Sequence, residues 1–243
     1  MLKNPQKSPR KPLHRSIGAS VLLLAAVLAA ALAVAQTPSA PPPAPVPPRF
    51  VVVLDAAHGG DDPGGHLNGQ PEKAFTLALS VRLRSLLGAR GIQVVTTRES
   101  DSTLDINRRA EIANHANAQA CLSLHASETG SGIHVFASSL APATPTRFPA
   151  WKTAQSAWIT RSLALAGIVN STLQQAGLTV TLGRTTLPAV DSMPCPALAI
   201  EVAPARSAGS NPDDSFNDPA YQARIAEALA AALLEWKTEV RQP

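Results

Sequence analysis

Acidic residues are absent from the start of this chain. None of the 17 Asp and Glu residues lies in the first 35 positions, which carry five of the 21 Lys and Arg residues. From Ile17 to Ala35 there is no charge of either sign. A basic start, an apolar run and the small residues Ala33-Val34-Ala35 are typical of a secretory signal, which predicts cleavage after Ala35. The run is also long enough for residues 1–35 to be an uncleaved membrane anchor.

The remainder of the chain lacks a strong charge of either sign, because the basic excess belongs to the first 35 positions. A nucleic-acid-binding domain needs a basic patch, so no nucleic-acid partner is expected. Contact with a membrane is expected only through the N-terminal segment, if it is not cleaved. Both alternatives export the rest of the chain.

Cysteine is scarce, since Cys121 and Cys195 are the only two. In an oxidising compartment they could form one disulfide. The alternative is a pair of buried thiols inside strands, where cysteine behaves as a small hydrophobic residue. We expect the thiols, and the outcome depends on whether the two strands lie side by side.

Regular structure is excluded from the segment TPSAPPPAPVPP, where seven of the twelve residues 37–48 are proline. Proline has no amide hydrogen and resists both helix and sheet, so residues 36–48 are predicted to be an extended linker. The folded domain is expected over residues 49–243, and it shows no internal repeat.

Beyond the linker, short apolar runs alternate with segments of helical spacing. This order predicts a single α/β domain with a mostly parallel twisted sheet and helices on both faces. Strands are predicted at 50–55, 92–98, 120–125, 132–138, 179–184 and 196–202, and helices at 72–90, 105–117, 153–176 and 219–238.

Four polar residues collect at one edge of the predicted sheet. His58, His125 and Glu201 each follow or end a strand, and Glu72 begins the first long helix after a glycine-rich loop. In open α/β sheets, ligands bind outside the carboxyl ends of the strands. These residues are therefore expected to lie together.

Two histidines and one glutamate are a known ligand set for catalytic zinc, which leaves a fourth position for water. His58, Glu72 and His125 are the predicted ligands of one Zn²⁺, which lowers the pKa of bound water to about 7. Glu201 is the predicted general base and later the proton donor to a leaving amine. A charged group that ends an apolar strand needs a metal, a hydrogen-bond network or a chemical task.

Each of these residues also has a simpler interpretation. A single histidine at a strand end is usually a hydrogen-bonded loop residue, and Glu72 could be a first-turn acid favoured by the helix dipole. Glu201 could form a salt bridge with Arg98 or Arg109. Only the joint placement of the four residues favours the zinc site. His66, within the first loop, is a weaker candidate for substrate contact.

Several motifs occur in order along the chain: LDAAHGGDDPGG followed by PEK, TRESD followed by RRAEIAN, then SLH and CPALAIE. As a set, they resemble the zinc-dependent N-acetylmuramoyl-L-alanine amidases of the Amidase_3 type, which cut peptidoglycan. The resemblance extends from Val51 to the C-terminal helix. It implies hydrolysis of the amide between N-acetylmuramic acid and L-alanine, in the periplasm or cell envelope. It also implies peptidoglycan as the partner, and places His58, Glu72 and His125 on zinc and Glu201 on the water.

The sequence departs from the family pattern beside the site. Ala56-Ala57 replaces a Pro-Gly pair, Ser127 replaces an asparagine, and VAPARSAGSN retains only Asn211, a candidate substrate contact, from a Gly-Phe-Leu-Ser-Asn stretch. Arg98 and Arg109 are expected to fix loops through ion pairs. The departures leave open a wall-binding domain without catalysis. A zinc carboxypeptidase acting on stem peptides is the third alternative, and it would need an arginine beside the metal.

Acidic residues are also missing between Glu128 and Asp191. Some relatives insert a helix there whose glutamate blocks the zinc until a partner removes it. Such self-inhibition is not expected here, although a protein activator stays among the candidate partners. The same region carries Phe148, Trp151 and Trp158, which we expect to cover the sheet edge; the alternative is that they form a wall of the substrate groove.

Overall fold

The computed structural model describes residues 49–144, 150–205 and 218–240. The predicted signal or anchor (1–35) and the proline-rich linker (36–48) lie outside the described residues, as do Phe148 and Asn211. No helix in the described part of the chain is long and apolar enough to span a membrane.

Strands and helices alternate along the described chain, as the sequence predicts. The strands are β1 (Val51–Ala56), β2 (His66–Leu67), β3 (Gln70–Pro71), β4 (Gln93–Thr96), β5 (Ala120–Ala126), β6 (Ile133–Ser138), β7 (Val180–Thr185) and β8 (Ala197–Val202). The helices are α1 (Glu72–Ala89), α2 (Ile106–Ala116), α3 (Ile159–Gln175), α4 (Pro188–Asp191) and α5 (Pro219–Glu239), with a 3₁₀ helix at Trp151–Ala157.

Six of the strands form the central sheet in the order β4-β1-β5-β8-β6-β7, and β2 pairs with β3 in a small hairpin. Within the central sheet, neighbouring strands are parallel except for β6 and β8, which are antiparallel. The predicted α/β domain with a mostly parallel sheet is therefore confirmed. The carboxyl ends of β1, β5 and β8 lie next to one another at one edge.

The direction of β6 follows from the short connection that precedes it. Only residues 127–132 separate β5 from β6, whereas a parallel crossover needs about a dozen residues or more. The chain therefore reverses, and Gly132 adopts a φ of 75° at the turn. A Cβ on Gly132 would lie 2.4 Å from the carbonyl oxygen of Thr179, so this position requires glycine.

The two faces of the sheet are covered by different helices. Leu54, Leu122 and Ile200 belong to the larger core, which includes apolar side chains of α1, α3 and α5. Val53 and Cys121 belong to the smaller core, with side chains of α2 and α4. Because side chains alternate between faces along a strand, the second face also carries the polar residues near the carboxyl ends.

The two cysteines form a disulfide between Cys121 and Cys195, with their Cα atoms 6.2 Å apart. The expectation of two free buried thiols is therefore wrong. Cys121 lies in β5, and Cys195 precedes β8 rather than lying within a strand. Since β5 and β8 are neighbours, and the amide of Cys121 donates to the carbonyl of Pro196, the two side chains meet.

The predicted helix at 153–176 is divided in the structure. The 3₁₀ helix ends at Ala157 and α3 begins at Ile159, with Trp158 (φ −116°, ψ −4°) between them. The hairpin β2–β3 and the short helix α4 lie in stretches where the sequence predicts only loop. Both are too short for apolar periodicity to reveal them.

Candidate metal centre

The loop after β1 places His58 in an unusual backbone conformation, with a φ of 61°. Two buried guanidinium groups hold this loop. Arg98 donates to the carbonyls of Ala56 (2.9 Å) and Ala57 (3.0 Å), and Arg109 donates to those of Ala56 (2.8 Å) and His58 (2.7 Å). A left-handed non-glycine residue costs about 1–3 kcal/mol and persists only where its surroundings fix it. These hydrogen bonds supply that constraint.

The side chains of His58, Glu72 and His125 meet at the carboxyl edge of the sheet. Nε2 of His58 lies 3.2 Å from Oε2 of Glu72, and Nδ1 of His125 lies 3.2 Å from Oε1 of the same carboxylate. One nitrogen or oxygen from each side chain lies within 4.8 Å of the others. The structure thus brings together the three residues that the sequence selects as ligands.

Asp62 fixes the ring of His58. Its Oδ2 accepts a hydrogen bond of 2.8 Å from Nδ1 of His58, and its Oδ1 accepts from the amide of Gly64 at 3.0 Å. Because Nδ1 must carry the proton that it donates, Nε2 is the ring atom that faces Glu72. A carboxylate behind a histidine is the usual second layer of a metal site.

A second network orients His125. Oγ of Ser123 lies 3.3 Å from Nε2 of His125 and donates to Oδ2 of Asp55 at 2.8 Å. Ser123 therefore accepts from the Nε2 proton of His125, which leaves Nδ1 to face Glu72. Asp55 is buried and also accepts from Thr97 (2.8 Å) and Arg109 (2.6 Å).

The carboxylate of Glu72 is held in its charged form. Burial favours the neutral acid, but hydrogen bonds from His125, His58 and the amides of Gly65 and Ala126 outweigh it and keep the pKa of Glu72 well below its usual range. The hydrogen bond to Glu72, helped by Asp62 and opposed by burial, raises the pKa of His58 to about 9. An anion beside two imidazoles is a centre that attracts a cation.

The donor set fits zinc. Two imidazole nitrogens and one carboxylate oxygen are a ligand set of catalytic zinc, and a structural site would present a fourth protein ligand. In the described part of the chain, the group contains three such residues. His58 and His125 also line a cavity of about 640 Å³, which gives a substrate access to them.

Comparison with known proteins identifies the family. The sequence profile of the N-acetylmuramoyl-L-alanine amidases (Amidase_3) matches residues 52–235. The chain belongs to this family. It is 36% identical over 81 residues to the sporulation-specific N-acetylmuramoyl-L-alanine amidase of Bacillus subtilis, an alignment that covers 32% of each protein. It is 39% identical over 92 residues to the amidase AmiA of Escherichia coli, covering 36% of this chain and 32% of that relative.

The fold of the family matches as well. The catalytic domain of the amidase CwlV from Bacillus (Paenibacillus) polymyxa var. colistinus superposes with a TM-score of 0.62 at 25% identity, covering 78% of this chain and 98% of that domain. The sequence alignments span about a third of the curated relatives' length. The fold match thus extends over the catalytic domain, and the sequence match over part of it.

Strand register places Glu201 next to His125, one of the three candidate ligands. In the parallel β5–β8 pair it is the partner of His125, so both side chains point to the same face of the sheet. In the antiparallel β6–β8 pair it is opposite His134. The sequence alone does not show that these two residues are neighbours, because strand order cannot be seen from local spacing.

Among the described residues, neither Arg98 nor Arg109 forms an ion pair with Glu201. Arg109 pairs with Asp55 at 2.6 Å. Arg98 differs from the expectation of an ion pair, since it donates to carbonyl oxygens and to Oγ1 of Thr76. The reason is the loop after β1, whose carbonyls lie beyond the sheet ladder and need donors.

Neither of the two remaining candidates for substrate contact belongs to the group of His58, Glu72 and His125. His66 is an exposed residue of β2, whereas Asn211 lies outside the described residues. Ala57, at a position where the family pattern has glycine, is buried and donates its amide to the carbonyl of Leu124 at 3.1 Å. The substituted pair is thus packed into the domain without disturbing His58.

Sequence reasoning missed Asp62, Asp55 and Ser123. Asp62 carries a weak signal, because it follows His58 by four residues in the same loop. Asp55 and Ser123 are polar residues within apolar strands, a feature that does not by itself indicate a role at the site. Their contacts depend on the pairing of β1 with β5, where they are register partners.

Proposed function

We propose that this chain is an exported, zinc-dependent hydrolase that cleaves the amide bond between N-acetylmuramic acid and L-alanine of peptidoglycan. One observation carries the proposal: the ligand atoms of His58, Glu72 and His125 lie within 4.8 Å of one another, with Glu201 in register beside them. Membership of the amidase family supports the choice of bond.

Nε2 of His58, Nδ1 of His125 and a carboxylate oxygen of Glu72 would hold one Zn²⁺. Zinc in such a site polarises a carbonyl and acidifies water, which supplies a nucleophile near neutral pH. Asp62 and Ser123 keep the two imidazoles in the tautomers that face Glu72. The charge of Glu72 is maintained by the amides of Gly65 (2.9 Å) and Ala126 (3.0 Å).

Glu201 moves the proton. Its carboxylate accepts a proton from the attacking water as the new C–O bond forms at the lactyl carbonyl carbon of muramic acid. It then gives the proton to the nitrogen of L-alanine as the C–N bond breaks. The products are a lactyl carboxylate and a stem peptide with a free α-amino group, so atoms and charge balance.

A carboxypeptidase is less well supported by the site. Binding of a terminal carboxylate would need an arginine free to face the metal. Arg98 donates to backbone carbonyls, and Arg109 donates to Asp55 and to three carbonyls, so neither has a guanidinium edge free for this task.

Export and independence from an activator are part of the proposal. A disulfide between Cys121 and Cys195 suits an oxidising compartment such as the periplasm. The absence of Asp and Glu from residues 129–190 supports a site that is active without removal of a blocking carboxylate.

The test combines metal analysis with product identification on the full-length protein. Peptidoglycan digests are analysed by mass spectrometry for peptides with N-terminal L-alanine, with and without a chelator. Glu201→Ala should retain zinc and lose activity by at least about a hundredfold, whereas His125→Ala should lose both. Glu227→Ala, an exposed carboxylate on α5, is the matched control.

Full activity of Glu201→Ala would overturn the role of Glu201. Peptidoglycan binding without any released peptide would indicate a wall-binding domain instead. Release of a C-terminal amino acid from the stem peptide would identify a carboxypeptidase.

A further inference from the structure

A second cavity adjoins the one that contains the metal ligands. It has a volume of about 840 Å³ and lies between α2, the 3₁₀ helix and the segment that leads into β8. Asp105 and Asn107 line both cavities. The two cavities are therefore neighbours at the start of α2: one contains His58 and His125, and the other lies along this helix.

The charged side chains that line the second cavity, Asp105, Arg108 and Glu111, sum to one negative charge. Arg108 and Glu111 form an ion pair of 2.6 Å, and the carboxylate of Asp105 caps α2 by accepting from the amide of Arg108 at 2.8 Å. No hydrogen bond joins the side-chain amide of Asn107 or Asn114 to another described residue. The cavity thus offers a ligand two neutral side-chain amides beside a net negative charge, which disfavours a ligand that carries carboxylates.

Trp151 supplies an apolar surface in the same cavity. Half of its area is exposed, and it is the largest of the exposed hydrophobic side chains in the described part of the chain. The ammonium of Lys152 lies 5.4 Å from the ring centroid. The sequence leaves open whether this tryptophan covers the sheet edge or forms a wall of the substrate groove, and in the structure it lines this cavity. An indole presents a flat apolar surface and one N–H donor, so it suits a ligand with both apolar and polar faces.

We propose that the second cavity is a subsite for the amino-sugar strand of the substrate, with Trp151 as its platform and Asn107 and Asn114 as its polar contacts. The proposal rests on the proposed function. N-acetylated sugars are uncharged, carry hydroxyl and acetamide groups that pair with side-chain amides, and have apolar C–H faces that cover an indole. The stem peptide carries free carboxylates, which would favour a cavity with uncompensated positive charge.

The position of the subsite gives it a role in choosing the substrate. An extended ligand in the second cavity would pass the exposed residues Asp105 and Asn107 to reach His58 and His125. Contacts with sugars remote from the cleaved bond would increase affinity for a strand of several sugars over a single disaccharide-peptide. Trp151 is in this sense a specificity residue that need not contact the reacting atoms.

The experiment measures binding of peptide-free oligomers of the alternating amino-sugar strand to the full-length protein by calorimetry. These oligomers contain no scissile amide, so the measurement does not depend on catalysis. Trp151→Ala should weaken binding by about 2- to 12-fold, the range expected for one aromatic contact. Trp151→Phe should restore most of the affinity. Leu182→Ala, an equally exposed side chain on β7, should leave it unchanged.

A kinetic comparison tests the same subsite. Trp151→Ala should raise KM for long glycan strands and leave kcat, as well as cleavage of a single disaccharide-peptide, within about twofold of the parent protein. Unchanged oligomer affinity in Trp151→Ala would overturn the proposal, and weaker binding of free stem peptide alone would mark a peptide subsite instead. If the parent protein binds oligomers through Trp151 but releases no peptide, the subsite stands and the proposed function fails.

Discussion

The carboxylate of Asp62 and the imidazole of His58 are joined by a hydrogen bond of 2.8 Å between Oδ2 and Nδ1. This contact leaves Nε2 of His58 directed at Glu72, 3.2 Å away. A four-residue spacing within one loop thus couples a candidate ligand to the group that sets its tautomer. Such partners behind metal ligands contribute strongly to metal affinity.

Asp62→Ala is expected to lower zinc affinity by about 10- to 100-fold, because His58 loses the acceptor that orients its ring. Competition with a chromogenic chelator measures the change. Asp61→Ala is the control, since Asp61 is the adjacent exposed carboxylate and contacts Thr103 instead of a ligand. Equal losses in both variants would show that the loop, and not the Asp62–His58 contact, determines affinity.

Gly64 lies against two of the ligands. A Cβ at this position would be 2.6 Å from Cδ2 of His58 and 2.7 Å from Oε2 of Glu72. Gly64→Ala should therefore displace the ligands and reduce zinc content by about tenfold or more at limiting metal.

Gly69→Ala is the matched control for backbone strain. Gly69 has a φ of +81° and Gly64 one of +67°, but a Cβ on Gly69 meets nothing within 4 Å. Both variants are expected to lose about 1–2 kcal/mol of stability from the left-handed backbone, and only Gly64→Ala to lose zinc. Retention of zinc by Gly64→Ala would contradict the close approach seen in the structure.

Asp55 is the buried acceptor of the network behind His125. Asp55→Ala would leave the guanidinium of Arg109 buried without its carboxylate, and should lower the free energy of unfolding by about 3–5 kcal/mol. Urea denaturation measures the change. Glu111→Ala removes an ion pair of the same 2.6 Å length from the surface and should cost at most about 1 kcal/mol. A similar small loss for Asp55→Ala would mean that the network does not depend on this carboxylate.

The disulfide is expected to stabilise the domain. Cys121 and Cys195 are 74 residues apart in sequence, so the bond closes a long loop of the unfolded chain. The double variant Cys121→Ala/Cys195→Ala should lower the free energy of unfolding by about 2–5 kcal/mol, which thermal denaturation under non-reducing conditions measures. Two reactive thiols in the parent protein purified under non-reducing conditions, detected by alkylation after denaturation, would be evidence against the bond.

Much of this domain could be predicted from local patterns. Apolar runs of strand length alternate with helical spacing, and that order alone indicates an α/β sheet covered on both faces. His58, His125 and Glu201 could be selected because each ends or follows a strand, and parallel strands bring such positions to one edge. Glu72 could be selected because it begins a helix after a glycine-rich loop.

Other features could not be predicted from the sequence. The reversed direction of β6 places His134 opposite Glu201, and the pairing of β5 with β8 brings Cys121 to Cys195. Expecting free thiols was wrong because strand neighbours were unknown. Arg98 was expected to form an ion pair, but it donates to backbone carbonyls instead. The path of the loop that presents these carbonyls cannot be predicted from local patterns.

Local sequence patterns show which residues could bind a metal, in what order the elements occur, and which apolar runs form strands. Only the packed fold shows which ligand atoms face one another, which carboxylates support them, and where the second cavity lies. The reason is physical: periodicity and capping act over a few residues, whereas strand order and side-chain networks depend on packing between segments that are far apart in the chain.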